Sequence, residues 1–515
     1  MATLSPTATN AAAATVGVRY GELVERRARR QPNRTAFLFG DSSITYGELL
    51  GRISSAATRL VESGVQPGSR VACWSENRPE VLIALYASSR VGAIFTPIGI
   101  AAPPSDVAFI LDDLAATTLL VSDQTARSVG DVAGIDRIEV VTLTTLTAAL
   151  QGDSTLPLAE VPEVTPAPGS EALVVYTSGT SGHPKGVVLT HEALFANSIN
   201  TLIGLDIVSD DVTLVNTPLS HVAALNTLAV NTLHKGGTVV IDSKFDPARC
   251  LDQIRDHKVT TMFAVPSMLT LLAREPGFET ADISSVRWIL GGGAPMPPAL
   301  VAQWSSRGVP VLASYGLTEA GPSVSFRRTT DAADKPESSG APAMLTDVVI
   351  VDSTGAELPA GTVGEIRVRG PHIAAGYWHN DNATAAAFDR GWLITGDRGL
   401  IDDDGDLRIT GRSKDIIITG GENVDPAEVE HLLARYPDVA DVAVIGRPDP
   451  VWGEIVVAVV VSDRPIELGD LQAFLRPHLA KYKIPRAVER RKALPRSPVG
   501  KLLRRVLTAP TEPVG

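Results

Sequence analysis

A chain of 515 residues is longer than one hydrophobic core sustains, so two or more domains are expected, and its 44% hydrophobic and 20% charged residues are ordinary for a globular protein. A formal charge of −12 excludes the basic footprint of a nucleic-acid binder. The two cysteines, Cys73 and Cys250, stand far apart in apolar surroundings, which excludes a disulfide framework or a thiolate metal site and fits a reducing cytoplasm.

Residues 1–17, MATLSPTATNAAAATVG, have neither a basic start nor a long apolar centre and read as a disordered lead, not a signal peptide. No uncharged apolar run reaches the about 18 residues of a membrane span. From 35 to about 121 short strands alternate with amphipathic helices: a strand over 43–46, a helix over 47–62 with Gly64 past its end, a strand over 70–74 and a helix over 79–91. Such alternation implies parallel sheet covered by helices. Residues 153–170, rich in proline and acidic side chains, form a loop or linker.

That linker leads into a buried strand over 172–175, the segment YTSGTSGHPKG over 176–186 and a second strand over 187–189. In the segment Thr177, Ser178, Thr180 and Ser181 alternate with Gly179 and Gly182, and Lys185 follows. Glycines let backbone N–H groups turn toward an anion, hydroxyls add donors and the lysine adds charge, which together make a polyphosphate cradle. The loop joins strand to strand and lacks the G-K-[ST] of a P-loop that opens a helix. A flexible Ser/Gly linker is the bland alternative, and Lys185 between apolar flanks speaks against it.

Between 259 and 314 the alternation continues, and two strands run into informative loops: 286–290 into GGGAP and 310–314 into YGLTEAG. In open α/β sheets ligands bind beyond the carboxyl ends of strands, so two glycine-bearing loops there imply a nucleotide-sized cleft, with Tyr315 offering an aromatic face to a base. Taken alone, GGGAP also fits a helix-entry turn before Pro297. Glu319 is the candidate magnesium ligand, because Mg²⁺ at nucleotides takes one or two carboxylates plus phosphate oxygens. After 411 the character changes: a strand over 415–419, a GGEN turn, a helix opened by Asp425 and Pro426, and strands over 439–445 and 455–461. The basic stretch 481–505 reads mostly as a solvated face. The expected fold class is therefore α/β, a large N-terminal domain of βα-alternating sheets (18–411) and a small mobile C-terminal α+β domain (412–515). There is no internal repeat and no nucleic-acid motif.

The phosphate loop, PLSHVAALN (218–226), GGGAPM (291–296), YGLTEAG (315–321), GWLITGD (391–397), GRSKDIIITGGENVDPAEVE (411–430) and PRSPVGK (495–501) stand in one order along nearly the whole chain. In that order the set resembles the adenylate-forming superfamily of acyl-CoA synthetases, peptide-synthetase adenylation domains and beetle luciferases. HVAALN, GGGAPM and PDPVWGE resemble bacterial fatty-acyl-CoA ligases in particular.

The resemblance implies ATP, Mg²⁺ and coenzyme A as the small molecules. It implies a nucleotide site of the phosphate loop, Gly292, Gly293, Ala294, Ser314, Tyr315 and Gly316, with Thr318 at the α-phosphate and Glu319 at the metal. Asp397 and Arg412 then bind the ribose, Lys414 is the hinge, and Lys501 is the catalytic lysine between the substrate carboxylate and the α-phosphate. Gly420 and Gly421 line the pantetheine tunnel and Trp452 contacts coenzyme A. The acyl pocket is built from His221, Val222, Ala223, Leu225, Asn226, Gly291, Gly316, Leu317, Ala320, Gly321 and Pro322. Without the resemblance, Asp397 is a turn aspartate, Lys501 a surface lysine at a helix start, and His221 either a gate or a packed core histidine.

A carboxylate acylates poorly because its leaving group would be oxide, whereas joining it to AMP with loss of pyrophosphate supplies a stabilised leaving group. Bringing two anions together needs positive charge between them. The thiol of the second step comes from outside, since neither cysteine sits in a supporting motif. No acidic residue in 221–226 is placed to pair with an amine, so a hydrophobic carboxylic acid, fatty or otherwise bulky, is the expected substrate. With no carrier-protein domain after Gly515, a peptide-synthetase module is not expected. Ser220 where relatives carry an aromatic residue, PIGIAAPP (97–104) and Asp425 depart from the family pattern.

The competing expectations are a ligase that stops at the adenylate or loads a carrier protein, a luciferase-like oxygenase, and an inactive acyl-nucleotide binding protein. The last is disfavoured by the joint retention of Lys185, Glu319, Asp397, Arg412 and Lys501. The protein is expected to be a cytoplasmic monomer or homodimer.

Overall fold

The computed structural model describes residues 17–148, 164–177, 184–329, 331, 335, 337–412, 415–419, 422–497, 500 and 502–508. The expected disordered lead (but for Gly17), most of the linker before the phosphate loop, positions 178–182 of that loop, Lys414, Gly420, Gly421 and Lys501 lie outside the described residues.

Local signals set the first elements. Thr45 ends strand Ser42–Thr45 and accepts a hydrogen bond from Glu48 N (3.2 Å), while the Glu48 carboxylate accepts from Thr45 N (2.7 Å). This reciprocal cap opens helix Tyr46–Glu62 one residue before the expected start. Tyr46 is drawn into the helix because its ring is buried and its hydroxyl donates to the carbonyls of Leu233 and Gly237 (3.1 and 2.7 Å).

The expected parallel sheets are present. In the nine-stranded sheet the strands from Val311–Gly316 through Trp288–Gly291, Thr261–Ala264, Val212–Val215 and Thr238–Ile241 to Thr35–Phe39 run parallel. Antiparallel strands lie at both edges. In the seven-stranded sheet Glu171–Thr177, Ile94–Gly99, Arg70–Ser75, Thr118–Val121 and Glu139–Thr142 are parallel. Lys185–Thr190 folds back on Glu171–Thr177 as an antiparallel hairpin. Helix Pro79–Arg90 is buried at every position but Glu80 and joins one core with strands of both sheets. Cys73 and Cys250 are free and fully buried.

The stretch before the small domain departs from βα alternation. Strands Asp347–Val351, Gly364–Arg369, Trp392–Ile401 and Phe388–Asp389 form an antiparallel sheet, with Leu407–Arg412 paired to Trp392–Ile401. Arg412, placed by sequence on the small-domain side of the boundary, is the last residue of this sheet because its pairing with Asp397 extends the ladder.

The small domain is α+β with its own core of Val429, Leu433, Val444, Val456, Leu471 and Leu475. Its basic end is not simply solvated: Lys483 pairs with Glu428, Arg496 with Asp441 and Arg504 with Glu430 (2.6, 2.7 and 2.5 Å), which ties the end of the chain to the domain's helix and sheet. Among the described residues no helix is long and apolar enough to cross a membrane.

Candidate functional site

The hairpin that carries the phosphate loop places Thr177 opposite Lys185 at its open end. Below them Tyr176 donates to Asp113 Oδ2 (2.6 Å), anchoring the strand to helix Pro104–Asp113. Strand Gly376–Tyr377 pairs with the hairpin's outer strand at Val187 and Val188, and Trp378 N donates to Gly186 O (2.7 Å). Lys185 Nζ therefore lies over the Tyr377 ring, 5.4 Å from its centre.

Two parallel strands of the other sheet end at the same cleft. Ser314 Oγ donates to Gly291 O (3.0 Å), and after Gly292 the chain opens so that Gly293 is exposed and Ala294 half-buried. The helix-entry reading of GGGAP also holds, since Pro297 caps helix Pro298–Ser306. Gly316 must lack a side chain: a methyl there would stand 2.0 Å from Pro322 O. The tight turn sends Thr318–Ala320 into a short 3-10 helix and brings Glu319 Oε1 within 2.7 Å of the Tyr377 hydroxyl, which donates to it. Burial and this carboxylate push the Tyr377 phenol up, so it stays protonated.

Asp397 is not a turn residue. It lies inside the ten-residue strand Trp392–Ile401, at a bulge where Thr395, Gly396 and Asp397 stand opposite the single residue Ile366 of strand Gly364–Arg369. Gly396 takes φ +69°, and Thr395 Oγ1 fills the gap by donating to Ile366 O (2.7 Å) and accepting from Asp397 N (3.1 Å). Bulges re-aim side chains next to active sites. Here the bulge turns a nearly buried carboxylate, 4% exposed, toward Tyr315 and Arg412. Tyr315 donates to Oδ2 at 2.7 Å and Arg412 Nε approaches Oδ1 at 3.0 Å. A carboxylate offers about four lone-pair directions, so each oxygen keeps one acceptor position for a vicinal diol.

The segment after His221 is a π-helix, Ala223–Ala229, a geometry that recurs at functional sites. Of the residues expected to line an acyl pocket, Val222, Leu225 and Asn226 are packed into the core, while His221, Ala223 and Leu317 are partly exposed and Gly316 is exposed. Asn226 receives the Tyr20 hydroxyl (3.1 Å) and its amide lies 3.4 Å from Gly321 O, so it holds Gly321 in place. Ala320, Gly321 and Pro322 are likewise buried beneath the turn. Burial drives the His221 pKa down to about 4, so the ring is neutral at pH 7.

The small domain reaches this cleft through its last turn. A methyl on Gly500 would lie 2.8 Å from both Ser267 Oγ and Val265 Cγ2, and Val265 also borders Gly293. Gly500, the chain neighbour of Lys501, thus sits beside the GGGAP loop. Trp452, 41% exposed, lies under the Arg486 guanidinium of its own domain, 4.0 Å from the ring centre.

Among the described residues no group of three or more His, Cys, Asp or Glu side chains is placed to hold a metal ion. A metal at this cleft would rest on few protein ligands and complete its shell with phosphate oxygens. Glu319 fits, because only Oε1 is engaged by a described residue. Tyr377, Thr395 and Asn197 were not anticipated. Asn197 accepts from Ser323 N (3.1 Å) and donates to Asn226 O (3.0 Å), bracing the turn after Glu319.

The family model described as AMP-binding enzyme matches residues 24–378, and that described as AMP-binding enzyme C-terminal domain matches 428–501. A feruloyl-CoA synthase of Amycolatopsis sp is 40% identical over 481 residues, covering 93% of this chain and 96% of that protein. An indoleacetate–CoA ligase of Aromatoleum aromaticum is 36% identical over 492 residues, covering 93% and 96%. Among solved structures, an O-succinylbenzoate coenzyme A synthetase from Bacillus subtilis in complex with ATP and magnesium ion superposes with a TM-score of 0.83 at 30% identity, covering 94% of this chain and 98% of that one.

Proposed function

The chain belongs to the AMP-binding enzyme family, and from that premise we propose that it activates a hydrophobic monocarboxylic acid as the acyl adenylate and passes the acyl group to coenzyme A. It is an AMP-forming acid–thiol ligase, as its named relatives are. Lys185, Thr177 and the rest of the phosphate loop hold the triphosphate, Tyr315 faces the base, and Asp397 with Arg412 binds the ribose. Thr318 contacts the α-phosphate. Lys501 offsets the repulsion between substrate carboxylate and α-phosphate. Magnesium, when bound against Glu319, supplies charge neutralisation at the phosphates.

The observation that carries the substrate class is the charge of the surrounding segments. Across 221–226, 291–294 and 316–322 the only ionised side chain is Glu319, and His221 is neutral. No cation is there to meet a second carboxylate, and no anion other than Glu319 to meet an amine. Burying an unpaired charge is costly. This supports a monoacid of the feruloyl or indoleacetyl kind, or a fatty acid, over a diacid such as succinylbenzoate.

The test is a panel of ferulate, indoleacetate, long-chain fatty acids and 2-succinylbenzoate, followed by both pyrophosphate release and thioester formation. Turnover of the monoacids with the diacid far behind is expected. Preference for the diacid overturns the substrate class, and pyrophosphate release without thioester would reveal a ligase that stops at the adenylate or serves a carrier protein.

A further inference from the structure

The segment 372–378 joins the phosphate hairpin to the turn that carries Glu319. Gly376 and Tyr377 extend the phosphate hairpin as a strand, Trp378 N reaches Gly186 O, and Ala374 N donates to Glu319 O (2.8 Å). Within it one side chain meets two opposite charges: the face of Tyr377 lies under the Lys185 ammonium at 5.4 Å and its hydroxyl donates to Glu319 Oε1 at 2.7 Å. Lys185 forms no ion pair with a described residue.

We propose that Tyr377 is a positioning residue for adenylation: it stands between Lys185 and Glu319, occupies each with a weaker contact and so keeps both charges for ATP and its metal. A lysine and a glutamate on facing elements of an empty cleft attract one another, and a direct pair would cancel the charge that each owes to the nucleotide. The ring face holds the cation by its quadrupole without neutralising it. The phenol is a neutral donor that orients one carboxylate oxygen and leaves the other free. Tyr377 makes no contact with the reacting atoms in this account; it sets where Glu319 points.

The inference rests on Lys185 and Glu319 serving phosphate and magnesium, so the variants separate the two ideas. Tyr377→Phe keeps the ring and removes the hydroxyl. The magnesium concentration for half-maximal pyrophosphate release should rise about tenfold, the size expected for losing one hydrogen bond to a charged group. Thioester formation from supplied acyl-AMP should stay within twofold. Calorimetric titration should show metal-free ATP binding nearly unchanged and the enhancement by magnesium reduced. Tyr377→Leu, which also removes the ring, should weaken metal-free ATP binding as well.

In a Glu319→Gln background the Tyr377→Phe change should no longer move the magnesium dependence, the signature of a coupled pair. If Glu319→Gln alone leaves magnesium dependence at the wild-type value, the metal assignment falls and this inference with it. A shift in Glu319→Gln without one in Tyr377→Phe overturns the inference alone. Equal loss of both half-reactions in a folded Tyr377→Phe protein reduces Tyr377 to a packing residue.

Discussion

At the scale of single residues, neutral tyrosines share the charged groups of the site. Tyr315 caps one Asp397 oxygen while Arg412 takes the other, and Tyr377 stands between Lys185 and Glu319. Gly500 of the small domain lies at the rim of the GGGAP loop, and its chain neighbour Lys501 is the proposed catalytic lysine. Lys501→Ala should lower pyrophosphate release by roughly 10²- to 10³-fold, the usual effect of removing one electrostatic stabiliser. ATP binding and the melting temperature should stay near wild type; a folded variant that adenylates normally would remove Lys501 from the chemistry. The motif residues stand out in the sequence because glycines, hydroxyls and a lysine have few other uses in that arrangement. Tyr377 does not, since a two-residue strand carries no periodicity and its meaning comes only from pairing with a strand nearly 190 positions away in the chain. Asp397 was legible through its resemblance alone, because the bulge that aims it depends on the partner strand.

At the scale of elements, starts and stops were read well where a side chain caps the backbone. Asp425 and Pro426 open helix Pro426–Leu433 as expected, Asp425 Oδ1 accepting from Ala427 N (3.0 Å). The antiparallel sheet was missed although strand Gly364–Arg369 alternates buried Ile366 and Val368 with Glu365, Arg367 and Arg369, the period-2 pattern of a half-buried strand. Its neighbours in the chain are βα units, and that context masked it. Asp425 also lies against the large domain, where a methyl on Gly411 would come within 2.4 Å of its carboxylate. Burial raises its pKa to about 6, with Glu428 raising it further and Arg398 and Arg504 opposing. An unfolded aspartate titrates near 3.9, so between about 4 and 6 the folded protein holds the proton more tightly. The resulting stabilisation is complete below about 4 and lost as pH rises through 6. Asp425→Asn keeps the cap acceptor and should flatten the melting temperature over that window. Parallel pH profiles of variant and wild type would exclude Asp425 as the group responsible.

At the scale of the whole molecule, the proposed roles give the small domain two tools, Lys501 for adenylation and Trp452 with the Gly420–Gly421 turn for coenzyme A, which one pose is not expected to present together. Gly500 lies beside the cleft, while Trp452 stays on Arg486 within its own domain. A rotation about Lys414 would exchange them, and hinges of this kind are absorbed by few torsions. Proline at 414 holds φ near −65° and restricts Ser413, so Lys414→Pro should impair thioester formation from supplied acyl-AMP far more than pyrophosphate release, provided the adenylating pose tolerates that φ. Single-turnover measurement of each half-reaction decides it; equal loss in both means general damage at the junction, and no loss in either means that the pivot is elsewhere or that no rotation is required. The large cores bear on the chemistry in another way. An enzyme that makes an acyl adenylate manufactures an acylating reagent inside itself. Both of its thiols are walled into the interior and burial pushes them up, away from the reactive thiolate. The fold therefore shelters its own sulfur from the electrophile it produces, and the acyl group waits for a thiol that arrives from solution.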